Sequence, residues 1–172
     1  MTALVTVDEW SPLPGSLPDT VESDRVYVIP TRAPIEGGDD DVPRYLDQVR
    51  NFPKAARAAA VPVEFSMPVG ARKYLSEYSI DPEMWGLGMA VLTMANDWII
   101  VAVQTFIEVR ARAQGWTLEE AAEQPLQVKV TETKHGTNYK FEGKGTEVLE
   151  AMRIIHEQKS ANTRVNESEH GT

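Results

Sequence analysis

The chain contains no cysteine. That removes disulfides, thiolate nucleophiles and cysteine-based zinc or iron-sulfur sites, and it suits a reducing compartment, so the expected location is cytoplasmic. Histidine is nearly as scarce: His135, His156 and His170 fall on a turn, a helix end and the tail, with no pair at metal-ligand spacing. No G-x-x-x-x-G-K-[ST] loop, dinucleotide fingerprint or G-x-S-x-G elbow occurs, so no cofactor, metal or catalytic residue is expected and the chain is not read as an enzyme. Basic charge is also short. Lys and Arg number 17 against 26 Asp and Glu, a net charge of -9 that repels a phosphate backbone, and no basic cluster interleaved with aromatics offsets it. Nucleic acid is therefore not an expected partner. The opening MTALVTVDEWSPLPG has no basic region followed by an apolar one and is not read as a secretory signal.

What the chain does have is apolar sequence, 42% of 172 residues, enough for one domain with a real core. Residues 1–24, with Pro12, Pro14 and Pro18, read as an extended or disordered arm whose sole strand candidate is Leu4-Val5-Thr6-Val7. Residues 25–158 read as a single α+β domain. Residues 159–172 have almost nothing to bury and read as a disordered tail.

The dominant stretch runs from Met84 to Ile107, nearly continuous apolar sequence in which Asp97 is the lone ionisable residue. Asp81-Pro82-Glu83 has the chemistry of a helix start, and Gly115, preceded by Arg110 and Arg112, that of a helix end. The expectation is one long helix, Pro82 to Gln114, roughly 50 Å at 1.5 Å per residue. A domain of this size is shorter, so the helix must bend, at Gly86, Gly88 or Asn96-Asp97, or else pack on another protein. Trp85, Met89, Leu92, Asn96, Asp97, Ile100, Val103 and Phe106 are the interaction candidates on it. One alternative is a single membrane span through residues 84–107, in which Asp97 costs about 2.5–3.5 kcal/mol. Another is a small enzyme or ligand-binding domain with a site near Asp97, Tyr74 or Tyr78. In a bundle, Asp97 would instead meet an Arg such as Arg72 or Arg110.

Elsewhere the patterns are local. Arg25 to Pro30 reads as a buried strand, and Val63, Phe65 and Met67 as one face of an edge strand confined by Pro62 and Pro68. Asp39-Asp40-Asp41 lacks the alternating ligand spacing of a calcium loop and reads as solvated. Leu46, Val49 and Phe52 recur at helical spacing up to Pro53, and residues 71–79 read as a short helix. Thr117 and Glu120 form a capping box. Leu126, Val128 and Val130 alternate into a hairpin turning at His135-Gly136, which pairs Val130 with Phe141. A helix from Gly145 carries the stripe Val148, Leu149, Met152 and Ile155. The predicted architecture is a small, mainly antiparallel sheet of two early strands plus the C-terminal hairpin, packed on helices around the long one.

The apolar helix ending in IEVRARAQG, followed by V-x-V-T, a polar hairpin tip, Y-K-F-E-G and the E-V-L-E-A helix, resembles the effector-associated constant component proteins of bacterial conflict systems over residues 86–156. The resemblance implies an adaptor that couples effectors and sensors through protein contacts, with no catalytic residues. An apolar helix too large for its own domain and the absence of catalytic motifs make the expected function a non-enzymatic interaction or assembly protein that self-associates, with a protein partner and no cofactor.

Overall fold

The alternating run at Leu126 forms the middle of a sheet, because its inward residues Leu126, Val128 and Val130 are all buried while Gln127 and Lys129 turn to the other side. The computed structural model describes residues 2–34, 37, 41–75 and 86–170, the stretch 165–170 as backbone only. Its strands are β1 (Leu4–Val7), β2 (Val26–Val28), β3 (Tyr45–Leu46), β4 (Val63–Phe65), β5 (Tyr74–Leu75), β6 (Gly86–Val91), β7 (Pro125–Glu132) and β8 (Thr137–Lys144). Its helices are α1 (Phe52–Ala58), α2 (Ile99–Gln114), α3 (Leu118–Ala122) and α4 (Gly145–His170).

The sheet has six strands in the order β1-β8-β7-β6-β2-β4, and β3 pairs with β5 in a separate parallel ribbon. The β6–β7 and β2–β4 pairs are parallel, whereas β1–β8, β7–β8 and β2–β6 are antiparallel. This mixed sheet overturns the small, mainly antiparallel one expected. The missing piece is β6, which lies inside the stretch assigned to the long helix. Residues 87–91 are buried between β7 and β2, and a strand covered on both faces carries a continuous apolar run with no alternation to mark it. Gly88 fits that position for a steric reason: a Cβ there would run into the side chain of Thr31.

The apolar run then turns through Leu92 to Trp98 before α2 begins, so there is no single helix from Pro82 to Gln114. Asn96 makes the break. Its Oδ1 accepts from the Trp98 amide at 2.7 Å, and its Nδ2 donates to the carbonyls of Ser23 (3.3 Å) and Arg25 (3.1 Å), tying the start of α2 to the chain entering β2. At the other end Gly115 closes α2 with φ 70, as its sequence position implied. Among the described residues no helix is long and apolar enough to cross a membrane.

Helices α1, α2 and α4 share one core with the inward residues of the sheet; Phe52 meets Phe106 edge-on at 5.4 Å, and Val148 and Met152 of α4 are fully buried. The capping box at Thr117 and Glu120 starts α3 as expected. On the opposite face the N-terminal arm lays Trp10 and Val21 over Tyr27, Ile29 and Ala90. The hairpin keeps its predicted faces but slips by two residues: Val130 pairs with Tyr139 and Val128 with Phe141, across a turn of residues 133–136. A shift of two preserves side-chain orientation, so all four still point into the core. The helix expected over residues 71–79 is replaced, as far as Leu75, by a 3-10 turn at Val69–Ala71 and the strand β5. Tyr78, Asp81 to Trp85, Asp39 and Asp40 lie outside the described residues.

Candidate functional site

The interaction candidates read from the sequence do not form one surface. Met89, Val103 and Phe106 are core residues, and Asn96 is buried in the turn it stabilises. Leu92 and Ile100 are half-buried, Asp97 is exposed, and Trp85 lies outside the described residues. Neither arginine expected to meet Asp97 is engaged there: Arg72 donates to the Met67 carbonyl and lies over Phe65, and Arg110 donates to the Pro125 carbonyl and lies over Trp116. Burial pushes the Arg110 guanidinium down to about 10. Asp97→Leu is therefore expected to change stability by less than about 0.5 kcal/mol, as surface substitutions do, and to leave the mass in solution unchanged. Chemical denaturation and light scattering check both outcomes.

The surface with unused binding capacity lies at the other end of the sheet. Among the described residues β8 is the sole strand neighbour of β1. The Asp8 amide donates to the Asn138 carbonyl at 2.7 Å, so by the alternation of an antiparallel ladder Leu4 and Thr6 also direct their backbone groups toward β8. Ala3, Val5 and Val7 then direct theirs outward. The opposite edge, β4, is guarded by Pro62 and Pro68 and by Glu64, whose carboxylate meets Arg25 at 3.1 Å. No proline, lysine or inward charge guards residues 3–7, which leaves β1 open to pairing.

Helix α4 runs beside that edge and leaves a groove of about 540 Å³ against it, floored by Ala3, Val5, Ala151, Ile154 and Ile155 and rimmed by Glu147 and Glu150. Val7 is 51% exposed and Ile154 48%. Backbone groups without a ladder and apolar side chains without cover thus coincide on one side of the molecule. Such a site can add a strand and bury a hydrophobic row. The sequence signal for it was the strand candidate Leu4 to Val7, but the open edge depends on which strand neighbours it.

Among the described residues no group of three or more His, Asp or Glu side chains is placed to hold a metal ion. Asp97 lines neither this groove nor the polar pocket on the arm side of the sheet. Comparison of the chain with known protein families, with curated proteins and with solved structures gave no match.

Proposed function

We propose that the protein is a non-enzymatic assembly protein that joins a second copy of itself through β1. The observation that carries this reading is the unguarded β1 edge beside an apolar groove. A two-fold axis normal to the sheet keeps inward side chains inward, so residues facing each other across it must have like orientation. Centring the axis on Val5 sets Val5 against its own counterpart and Ala3 against Val7 of the second copy, each pair exchanging both of its hydrogen bonds. The register is self-complementary. It also aligns Ala3, Val5 and Val7 of both copies in one apolar row on the α4 side.

Strand pairing over so few residues falls short of the roughly 1,000 Å² that a specific interface buries, so the two grooves must close in the same contact. Ile154 and Ile155 are the residues available for that. An adaptor role of the kind implied by the resemblance over residues 86–156 would use the assembled pair as its platform.

The test exploits which way Val5 points. Its amide faces outward, so Val5→Pro deletes a donor that β8 does not use, a substitution an edge strand tolerates. The variant is expected to unfold at nearly the same temperature as the parent and to halve the mass found by light scattering. Val7→Lys, which puts a charge into the apolar row, should do the same. A parent protein that is monomeric at high micromolar concentration, or a dimer indifferent to both substitutions, would defeat the proposal.

A further inference from the structure

The face of the sheet under the N-terminal arm carries an unbalanced group. Lys129, in the centre of β7, is half-buried, and among the described residues its ammonium has no hydrogen-bond acceptor and no carboxylate within ion-pair distance. What it has is the Trp10 ring at 5.8 Å. Directly across the hairpin stands Lys140. Because Lys140 directs its backbone toward Thr6 of β1, the Lys129–Lys140 pair belongs to the class without mutual hydrogen bonds, in which Cα atoms approach to about 4.5 Å and side chains crowd. Like charges placed so are destabilising.

The two lysines differ in their partners. Lys140 is neutralised by Glu142 at 3.1 Å, and the second oxygen-seeking group nearby, the Gln127 amide, also donates to Glu142, at 2.6 Å. Glu142 is thereby committed, and its attraction for Lys129 acts only at longer range. Burial, with the fields of Lys140 and Arg32 added, holds the Lys129 ammonium below the usual lysine range. A chain with net charge -9 has carboxylates to spare, yet none of the described ones lies against this lysine.

Beside it is a pocket of about 190 Å³ whose lining joins Thr31, Arg32, Gln127 and Lys129 to the apolar Leu46 and Leu87 and to Gly86. Its size is below the roughly 300–1,000 Å³ of sites for drug-sized ligands, so it suits a small group and not a nucleotide. Its lining presents the Thr31 hydroxyl and the Lys129 ammonium as donors.

We propose that this pocket is a binding site for a small oxyanion, a phosphate or carboxylate group, with Lys129 as its principal counter-charge. The anion supplies what the described residues do not, an oxygen partner for Lys129, and screens Lys129 from Lys140. The inference is independent of strand pairing at β1, since the pocket opens on the other face of the sheet.

Titration of the full chain with sodium phosphate, and separately with sodium acetate, each against sodium chloride at constant ionic strength, is read from backbone amide shifts. Saturable shifts are expected at Gly86, Gln127 and Lys129. Lys129→Gln should weaken binding by at least about tenfold, and Lys129→Arg should retain it, while unperturbed amides elsewhere show that both variants fold. A bound anion should also raise the pH at which Lys129 loses its proton. Saturation by phosphate alone would assign a phosphate-bearing ligand, and by acetate alone a carboxylate. Shifts that do not saturate, that chloride reproduces, or that survive Lys129→Gln would overturn the proposal.

Discussion

Phe106→Ala is expected to lower the free energy of unfolding by about 3–5 kcal/mol and to leave the association of the folded protein unchanged. Phe106 is 1% exposed and sits edge-on to Phe52 at 5.4 Å, where α2 crosses α1 over the sheet, so truncation leaves a cavity that two helices and a sheet cannot all close. The loss is a large share of the 5–15 kcal/mol typical of a domain. Because the ring faces inward, mass by light scattering below the unfolding transition should match the parent. The contrast with Val5→Pro is diagnostic: one variant loses stability and keeps its partner, the other loses its partner and keeps stability. A Phe106→Ala protein of parental stability that no longer associates would return the interface to α2 and contradict the packing of this core.

The reading of the apolar stretch from the sequence failed at a place with a physical cause. A helix buried all round and a strand buried on both faces both appear as uninterrupted apolar residues, and periodicity cannot separate them. Length separates them: a buried strand of six residues, a turn and a helix of 16 account for the same run without a 50 Å rod. Gly86 and Gly88 spaced two apart, and Asn96 three residues before Ile99, were the local marks of strand and turn. The capping box at Thr117, the close at Gly115, the edge position of β4 and the inward face of the hairpin were all legible because each depends on a few neighbouring residues. The hairpin register was not, since a four-residue turn and a two-residue turn preserve the same faces. Val5 and Val7 were readable as a strand. Lys129 was readable only as the polar half of an alternation. Neither the edge position of β1 nor the placing of Lys129 beside Lys140 exists until strands from distant parts of the chain are set side by side.

Glu132 illustrates the same point and carries the other large expected effect. It is fully buried at the end of β7, where its Oε2 accepts from the Met94 amide at 2.6 Å and its Oε1 lies 3.5 Å from Lys159 Nζ of α4. Nothing in V-K-V-T-E marks this glutamate from any other strand-end acid. Its work is to hold the turn that interrupts the apolar run, and Glu132→Ala, which orphans a buried amide, should cost about 2–3 kcal/mol. Glu132→Gln keeps an acceptor for Met94 and should cost much less. Lys159→Ala should also destabilise, because it removes the ammonium paired with a carboxylate that is fully buried. Alkali provides a second readout. Burial alone would lower Lys159, but the oxygens of Glu132 and Tyr139 outweigh it and raise it above its ordinary 10.5. Burial, reinforced by Glu132, raises Tyr139 above 10.0. A pKa raised on folding means stability that is complete below the unfolded value and lost as pH climbs through the folded one. Denaturation midpoints should therefore hold constant through neutrality with respect to this cluster and fall above about pH 10. In Glu132→Gln the alkaline fall should be shallower, since the carboxylate that raises both groups is gone. A parental alkaline slope in that variant, or an Ala variant as stable as the Gln one, would show that the turn before α2 stands without Glu132.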